Sequence, residues 1–200
     1  MNAPQGSEAW AMERCGCATS SEYSSVLAKG QGKTRLAYLR RVVAERLTGK
    51  PIDTYRNADM DRGRIHEAAA RQLYEVQTGY LVEQVGFICH PDMMAGCSPD
   101  GLIDDDGGLE IKSVIPTVQL EIILAGAYPS EHKPQIQGNL WHTSRKWWDF
   151  ASYSPDMPED LQLYIFRVMP DQDYIRQLAA EVKVFLDEVD ALYNKFMGMK

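Results

Sequence analysis

The stretch that decides the fold reads Cys97-Ser98-Pro99-Asp100-Gly101-Leu102-Ile103 and, after a turn, Leu109-Glu110-Ile111-Lys112. Residues 106–108, Asp-Gly-Gly, lie between two short apolar segments, which is the pattern of a tight β-hairpin. Because side chains alternate in a strand, Glu110 and Lys112 project from the same face while their apolar neighbours face the core. The hairpin therefore predicts that Asp100 lies beside Glu110 and Lys112.

An aspartate, a glutamate and a lysine in one place suit the hydrolysis of a phosphodiester. Hard carboxylate oxygens bind Mg²⁺ or Mn²⁺, and we expect the backbone carbonyl of Ile111 to complete the coordination. The metal lowers the pKa of a bound water. Lys112 can orient that water, or help to deprotonate it if its own pKa is depressed. The same Glu-Ile-Lys pattern also fits a solvated edge strand, so the pattern alone leaves both interpretations open.

The segments around the hairpin predict an α/β fold in which helices flank a mixed sheet. The spacing of apolar residues predicts helices over 34–48, 57–78, 118–125, 134–145 and 171–197. Short apolar runs predict strands over 81–89, 94–103, 109–114, 147–153 and 161–168. An irregular segment is expected before the first helix. Because neither a repeat nor a low-complexity linker interrupts the chain, we expect one domain over residues 1–200.

Composition limits the possible classes of protein. The 200 residues are 44% hydrophobic, which is enough for a substantial core, and none of the apolar runs is long enough for a transmembrane helix. The N-terminus lacks the pattern of a secretory signal. We therefore expect a cytoplasmic protein without a membrane partner, in which the four cysteines are reduced.

Charge is distributed unevenly along the chain, whose formal net charge is −7. Basic residues concentrate in one short stretch: Lys29, Lys33, Arg35, Arg40, Arg41, Arg46 and Lys50. The acidic excess falls between residues 149 and 190. This pattern is typical of a protein that presents a basic face to phosphates and an acidic face to solvent. A basic helix face that is merely solvated is the alternative.

Two further positions are candidates for the same site. Glu67, on the second predicted helix, is either an additional acidic group near the metal, besides Asp100 and Glu110, or the partner of Arg71 in an ion pair at i,i+4. A glutamine in Gln135-Ile136-Gln137 is either solvated or hydrogen-bonded to a water or phosphate in the site. The residues alone do not decide between these alternatives.

Several ordered motifs give the chain a resemblance to a known family. They are Gly63-x3-Glu67, Ser98-Pro99-Asp100-Gly101, Leu109-Glu110-Ile111-Lys112 and Gln135-Ile136-Gln137. In this order they resemble the lambda-exonuclease (viral recombinase, YqaJ-like) family of PD-(D/E)xK nucleases, over residues 10–196. The resemblance implies a restriction-endonuclease-like core.

It also implies an activity and partners. Members degrade one strand of linear double-stranded DNA from the 5′ end, processively and with Mg²⁺, for which two ions per site are expected. They often form a homotrimeric ring. In phage-type recombination, the DNA strand that remains is passed to a single-strand annealing protein. A phage or prophage protein acting in the bacterial cytoplasm is therefore expected.

The resemblance assigns roles within the catalytic site. Asp100 and Glu110 would be the metal ligands and Lys112 the catalytic lysine. Glu67 would be an additional active-site acid, and Gln137 a supporting polar group.

The resemblance also implies a pocket for the DNA end. Arg14, Ser21 and Ser98 would hold the 5′-phosphate, and the apolar wedge that parts the duplex would be Met60. Asp92 is a tentative counterpart of a further acidic position. The family has another basic phosphate contact shortly after the catalytic lysine, but residues 115–118 contain no arginine.

Two alternative functions remain open. One is a structure-selective or restriction-type endonuclease on the same fold. The other is a DNA-binding recombination module without catalysis, against which the complete set of Asp100, Glu110 and Lys112 argues.

Overall fold

The structure, a computed structural model, describes residues 3–28, 33–52 and 58–199, and the side chains of all of these except 58–64. Two β-sheets form its framework. The strands are β1 (Ala18–Thr19), β2 (Val82–Glu83), β3 (Ile88–Cys89), β4 (Ala95–Cys97), β5 (Gly101–Ile103), β6 (Gly107–Ser113), β7 (Trp147–Tyr153) and β8 (Leu163–Val168). The larger sheet has the order β2-β5-β6-β7-β8 and the smaller one β1-β4-β3. Both are mixed, since β6 pairs parallel with β7 and β1 with β4, whereas the other pairs are antiparallel.

Helices flank these sheets. They are α1 (Glu8–Arg14), α2 (Tyr23–Leu27), α3 (Lys33–Thr48), α4 (Ala58–Thr78), α5 (Pro116–Ala125), α6 (Lys133–Thr143) and α7 (Gln172–Met197). All five predicted helices are thus present, and each end lies within two residues of its predicted position. The irregular start expected from the sequence is wrong, because α1 and α2 lie there. The mixed sheet flanked by helices is confirmed.

Two of the predicted strands are wrong in their extent. The strand expected over 94–103 is divided into β4 and β5, which belong to different sheets, and the strand expected over 81–89 is divided into β2 and β3. Pro99 lies at the first break and cannot donate a hydrogen bond to a neighbouring strand. Gly101 begins β5 where any Cβ would collide with the side chain of Val82 on β2. Asp100 therefore lies in the turn that leads from one sheet into the other.

The parallel pair of β6 and β7 determines where α6 lies. In this pair Glu110 is opposite Phe150 and Lys112 opposite Ser152. Parallel neighbours require a crossover connection, which here contains α5 and α6. Helix α6 packs against β4 and β7, so it spans the two sheets next to β6, the strand that carries Glu110 and Lys112.

The long helix α7 covers the N-terminal helices. Asp171 caps its start by accepting a hydrogen bond of 3.0 Å from the backbone N–H of Tyr174. Its apolar stripe includes the buried residues Leu178, Val182, Phe185 and Val189, which join a core with α2 and α3. The predicted amphipathic helix is thus confirmed.

Ion pairs join the basic helix α3 to the acidic helix α7. Arg35 donates two hydrogen bonds, of 2.7 and 2.9 Å, to the carboxylate of Glu188, and Arg46 pairs with Asp190. The predicted separation of a basic face from an acidic face is therefore wrong for these two arginines, because they pair with carboxylates of α7 and do not form a free basic surface.

Other expectations concern redox state and membranes. All four cysteines are free. In the described part of the chain, no helix has the length and apolar character needed to cross a membrane. That residues 1–200 form a single domain stays a prediction.

Arg145 fixes the hairpin that carries the predicted site. Its Nη1 donates to the carbonyl oxygens of Ile103, Asp104 and Gly107 at 3.1, 2.7 and 2.8 Å. Hydrogen bonds from charged donors contribute about 1.5–3 kcal/mol each and do not add fully, so Arg145→Ala should lower the free energy of unfolding by about 2–4 kcal/mol in urea titrations.

The matched control for that measurement is Lys146→Ala. Lys146 forms an exposed ion pair of 2.9 Å with Asp106, and such pairs contribute less than about 1 kcal/mol. Equal losses of stability in the two variants would contradict the role given to Arg145.

Candidate active site

The centre of the candidate site is the carboxylate of Glu110, which is 1% exposed. Three N–H donors compensate for its burial. Lys112 Nζ and Gln135 Nε2 each donate to Oε1 at 2.6 Å, and Asn139 Nδ2 donates to Oε2 at 3.1 Å. Lys112 also donates to Gln135 Oε1 at 3.2 Å. Strand β6 and helix α6 are thus joined at this carboxylate.

Asp100 is held beside Glu110 by the backbone. Its Oδ2 accepts a hydrogen bond of 2.7 Å from the N–H of Ile111, which fixes the turn after Pro99 against β6. Burial and the neighbouring charge of Glu110 raise the pKa of Asp100 well above its ordinary value, although Lys112 opposes the shift. The structure therefore brings together the Asp100, Glu110 and Lys112 that the sequence predicted.

Lys112 has a pKa above its ordinary value. Burial lowers the pKa, but the charges of Glu110 and Asp100 and the hydrogen bond to Glu110 outweigh it. The hydrogen bonds of the Lys112 ammonium to Glu110 and Gln135 suit a charged donor that orients the groups around it. Both roles considered above for Lys112 stay predictions.

Glu67 takes part in both arrangements considered for it. It accepts a hydrogen bond of 3.1 Å from Arg71 Nη1, which is the expected i,i+4 ion pair on α4. It also lines the same cavity as Lys112 and Gln135, and its charge contributes to the raised pKa of Asp100. The ion pair thus orients an acid at the edge of the site.

The glutamine at the site is Gln135, whereas the sequence had indicated Gln137. Gln137 is 1% exposed and ties α6 to the start of α7: it donates to the carbonyl of Met169 at 3.0 Å and accepts from the N–H of Asp171 at 2.8 Å. Residues two apart on a helix point in nearly opposite directions, so only one of the two glutamines can face Glu110. The placement of Gln137 at the site is corrected accordingly.

The sequence interpretation missed Asn139. It lies four residues after Gln135 and therefore on the same face of α6. Its Oδ1 accepts a hydrogen bond of 2.5 Å from Ser20 Oγ, which links the site to the turn before α2. The i,i+4 pair of amides was the available signal, but it gains meaning only once α6 is known to face Glu110.

Two of the three residues predicted to hold a 5′-phosphate, Arg14 and Ser21, line one cavity of about 690 Å³; Lys112 also lines it, whereas Ser98 does not. Trp10 connects the third residue to the group, because its Nε1 donates to Ser98 Oγ at 3.0 Å while the guanidinium of Arg14 lies 4.2 Å from its ring centre. Burial lowers the pKa of Arg14.

Asp92 is not brought to this cavity, because it is exposed and lines a second cavity with Arg46 and Asp190. Met60, expected as the wedge, lies outside the residues whose side chains are described.

The oxygen donors of the site fit a hard divalent cation. Within the described ranges, no group of three or more His, Cys, Asp or Glu side chains is arranged as a metal site. Mg²⁺, however, is often held by one or two carboxylates and keeps several waters. Burial and, after it, the charge of Glu110 raise the pKa of Asp100, and a bound cation would favour the charged form against both. That the Ile111 carbonyl is a third ligand stays a prediction.

Comparisons with known proteins agree with this geometry. The family model described as the YqaJ-like viral recombinase domain matches residues 9–146. The crystal structure of an alkaline exonuclease, LHK-Exo from Laribacter hongkongensis, is 34% identical, with a TM-score of 0.89 over 96% of this chain and 97% of that chain. Its complex with dAMP, also 34% identical, has a TM-score of 0.88 over 95% and 96% of the two chains.

A more distant structure shares the fold alone. The phage related exonuclease from Haemophilus somnus 129PT is 13% identical, with a TM-score of 0.70 over 90% of this chain and 96% of that chain. No curated protein matches the chain. The resemblance and the PD-(D/E)xK fold are confirmed, and the relatives indicate a nuclease that acts on DNA.

The two glutamines of α6 provide a matched pair of variants. Gln135→Ala removes a donor to Glu110 and an acceptor for Lys112, and misplaced catalytic groups cost about 10- to 100-fold in rate. We expect that loss in hydrolysis of linear duplex DNA by Gln135→Ala. Gln137→Ala should instead lower the free energy of unfolding by about 1–3 kcal/mol, since it leaves the backbone groups of Met169 and Asp171, just before α7, without this partner, and should preserve the rate per folded molecule. The reverse pattern would contradict the placement.

Asp100→Asn should raise the melting temperature at neutral pH with EDTA present. Asparagine keeps an oxygen for the N–H of Ile111 but removes the repulsion from Glu110. Because the folded protein raises the pKa of Asp100, its contribution to stability is fully present below the ordinary value of 3.8 and is lost as pH rises through the raised pKa. The advantage of Asp100→Asn in thermal melts should therefore shrink as the pH is lowered, and an advantage that grows in acid would exclude this explanation.

Proposed function

The chain belongs to the YqaJ-like viral recombinase domain family, and we propose that it is a Mg²⁺-dependent 5′→3′ exonuclease that degrades one strand of linear double-stranded DNA. The observation that carries the proposal is the convergence of Asp100, Glu110 and Lys112, of which Lys112 lines a cavity together with Arg14 and Ser21. Groups that suit phosphodiester hydrolysis thus lie next to groups that suit a phosphate.

In this mechanism Asp100, Glu110 and the backbone carbonyl of Ile111 would hold Mg²⁺, for which two ions per site are expected, with Mn²⁺ as an alternative. The bound metal would supply an acidified water and neutralise charge on the scissile phosphate. Lys112, held charged by Glu110 and Asp100, orients the attacking water or a phosphate oxygen. Gln135 holds Lys112 and Glu110 in place, and Glu67 adds negative charge at the edge of the site.

The direction of degradation is proposed from the DNA-end pocket. Arg14, Ser21 and Ser98 hold the 5′-phosphate, with Trp10 positioning Arg14 and Ser98. LHK-Exo, 34% identical, has been crystallised with dAMP, a nucleoside 5′-monophosphate. A product of this type fits a site that binds the phosphate at a 5′ end. Met60 is retained as the proposed wedge.

The biological setting is proposed from family membership. We expect a homotrimeric ring around the DNA, which would make degradation processive, and mass measurement in solution tests it. The 3′-ended single strand would pass to a single-strand annealing protein in phage-type recombination. The place of action would be the cytoplasm of a bacterial host.

Nuclease assays distinguish this function from the two alternatives. The wild-type protein should degrade 5′-phosphorylated linear duplex in Mg²⁺ and leave covalently closed circles intact. Asp100→Ala and Lys112→Ala should each reduce the rate by at least about 100-fold, since electrostatic groups in nuclease sites contribute at this scale. Addition of EDTA should stop the wild-type reaction.

Each contrary result selects a different conclusion. Cleavage of closed circles would favour the endonuclease. No hydrolysis by the wild type, with intact binding of duplex DNA, would favour the non-catalytic module. Persistent degradation by both variants would remove Asp100 and Lys112 from the mechanism.

A further inference from the structure

A second arginine, Arg41 on α3, lines the cavity that contains Arg14 and Lys112. It differs from the other arginines of α3 whose partners are described. Arg35 and Arg46 pair with Glu188 and Asp190 on α7, whereas Arg41 faces the N-terminal segment and donates to Glu22 Oε1 at 2.6 Å. Arg41 is therefore the arginine of this helix whose charge is directed to the cavity.

The two guanidinium groups are close enough for the charge of Arg41 to help lower the pKa of Arg14, after the larger effect of burial. Among the described residues, the Arg14 side chain donates no hydrogen bond, and the ring of Trp10 covers one face of its guanidinium. Arg14 is half-buried beside the cavity, so its N–H groups are available to an acceptor that enters it.

Arg41 also retains unused donors. A guanidinium carries several N–H groups in a planar fork, and within the described structure Arg41 uses one of them, towards Glu22. The ring of Tyr38 packs against the Arg41 guanidinium, whose carbon lies 4.7 Å from the ring centre. Ser25 Oγ donates to the second oxygen of Glu22 at 3.1 Å, so the carboxylate that orients Arg41 is itself fixed.

The two carboxylates nearest to Arg14 and Arg41, those of Glu22 and Glu45, already accept other hydrogen bonds. Glu22 is occupied by Arg41 and Ser25. Glu45 accepts hydrogen bonds from the backbone N–H groups of Gly16 at 2.9 Å and Ile52 at 3.2 Å. Among the described residues, these two carboxylates are thus already paired, and an anion that enters the cavity can accept hydrogen bonds from both arginines.

We propose that Arg41 binds the terminal 5′-phosphate together with Arg14 and determines the preference of the enzyme for phosphorylated DNA ends. Two guanidinium groups match a terminal phosphate monoester, which carries a charge close to −2 at neutral pH, better than an internal phosphodiester with a single charge. Arg41 thereby supplies the second basic contact that residues 115–118 do not provide. The inference rests on the proposed 5′→3′ exonuclease.

The test compares 5′-phosphorylated with 5′-hydroxyl linear duplexes that are otherwise identical. Their ratio isolates recognition of the end, because contacts to internal phosphates contribute equally to both. Binding is measured in EDTA by fluorescence anisotropy with a 3′ label, and initial rates are measured in Mg²⁺. We expect Arg41→Gln to reduce the wild-type ratio by about 10- to 100-fold, as for loss of a hydrogen bond between charged groups.

Three further variants separate this role from a structural one. Arg40→Gln removes an exposed charge from the same helix and should leave the ratio unchanged. Arg41→Lys keeps the charge but loses the planar fork, so its ratio should be intermediate. Glu22→Gln should keep or increase the ratio, because it removes negative charge from the cavity and leaves Arg41 in place. Melting temperatures identify any variant that has simply lost stability.

Several results would overturn the proposal. They are a wild-type ratio near one, a ratio in folded Arg41→Gln equal to that of the wild type, and an equal loss in Arg40→Gln. A loss in Glu22→Gln that matches the loss in Arg41→Gln would show that only the ion pair matters. If the wild type prefers phosphorylated ends in EDTA but never degrades them, the inference stands and the proposed nuclease fails; degradation without any preference gives the opposite conclusion.

Discussion

The buried carboxylate of Glu110 is the group around which the site is organised. Removing a carboxylate from water costs several kcal/mol unless donors or a cation compensate for it. Here the compensation comes from Lys112 on the same strand and from Gln135 and Asn139 on α6. The position of α6 across the two sheets is therefore coupled to the catalytic strand. A fold that displaced this helix would leave a charge unpaired in the core, so packing and chemistry constrain the same element.

A second set of contacts extends this organisation to the N-terminal segment. Ser20 donates to Asn139, so the turn that leads into α2 is joined to the amide that contacts Glu110. Trp10 on α1 contacts both Arg14 and Ser98, the latter two residues before Asp100. Short N-terminal elements, which would be marginal as isolated helices, are thus fixed by helix α6 and by the turn that carries Asp100. These contacts place the proposed DNA-end pocket next to the candidate site.

The sequence predicted the parts of this site that depend on local periodicity. Alternation along β6 placed Glu110 and Lys112 on one face, and the predicted hairpin brought Asp100 near them. The Asp-Gly-Gly turn was wrong in its position, because the turn lies over residues 104–106 and both glycines pair with β5 as part of β6. Residues whose position depends on tertiary packing were predicted less well. The division of one apolar run into β4 and β5 depends on two sheets that only the folded chain forms. The choice between Gln135 and Gln137 depends on the rotation of α6 about its axis, since both occupy the same helix and only its packing decides which one faces Glu110.

The basic stretch shows most clearly why charge in the sequence does not predict a binding surface. Arg35 and Arg46 form ion pairs with Glu188 and Asp190, which lie on a helix about 150 residues further along the chain. Partly buried arginines usually have such carboxylate partners. Arg41, between them in sequence, points to the cavity, because Tyr38 and the fixed carboxylate of Glu22 hold it there. A chain with a net charge of −7 therefore need not present a broad basic face in order to act on DNA. A few guanidinium groups placed in a confined cavity act at short range, where screening by salt is weaker than on an open surface. Such an arrangement favours recognition of an end over coating of the duplex.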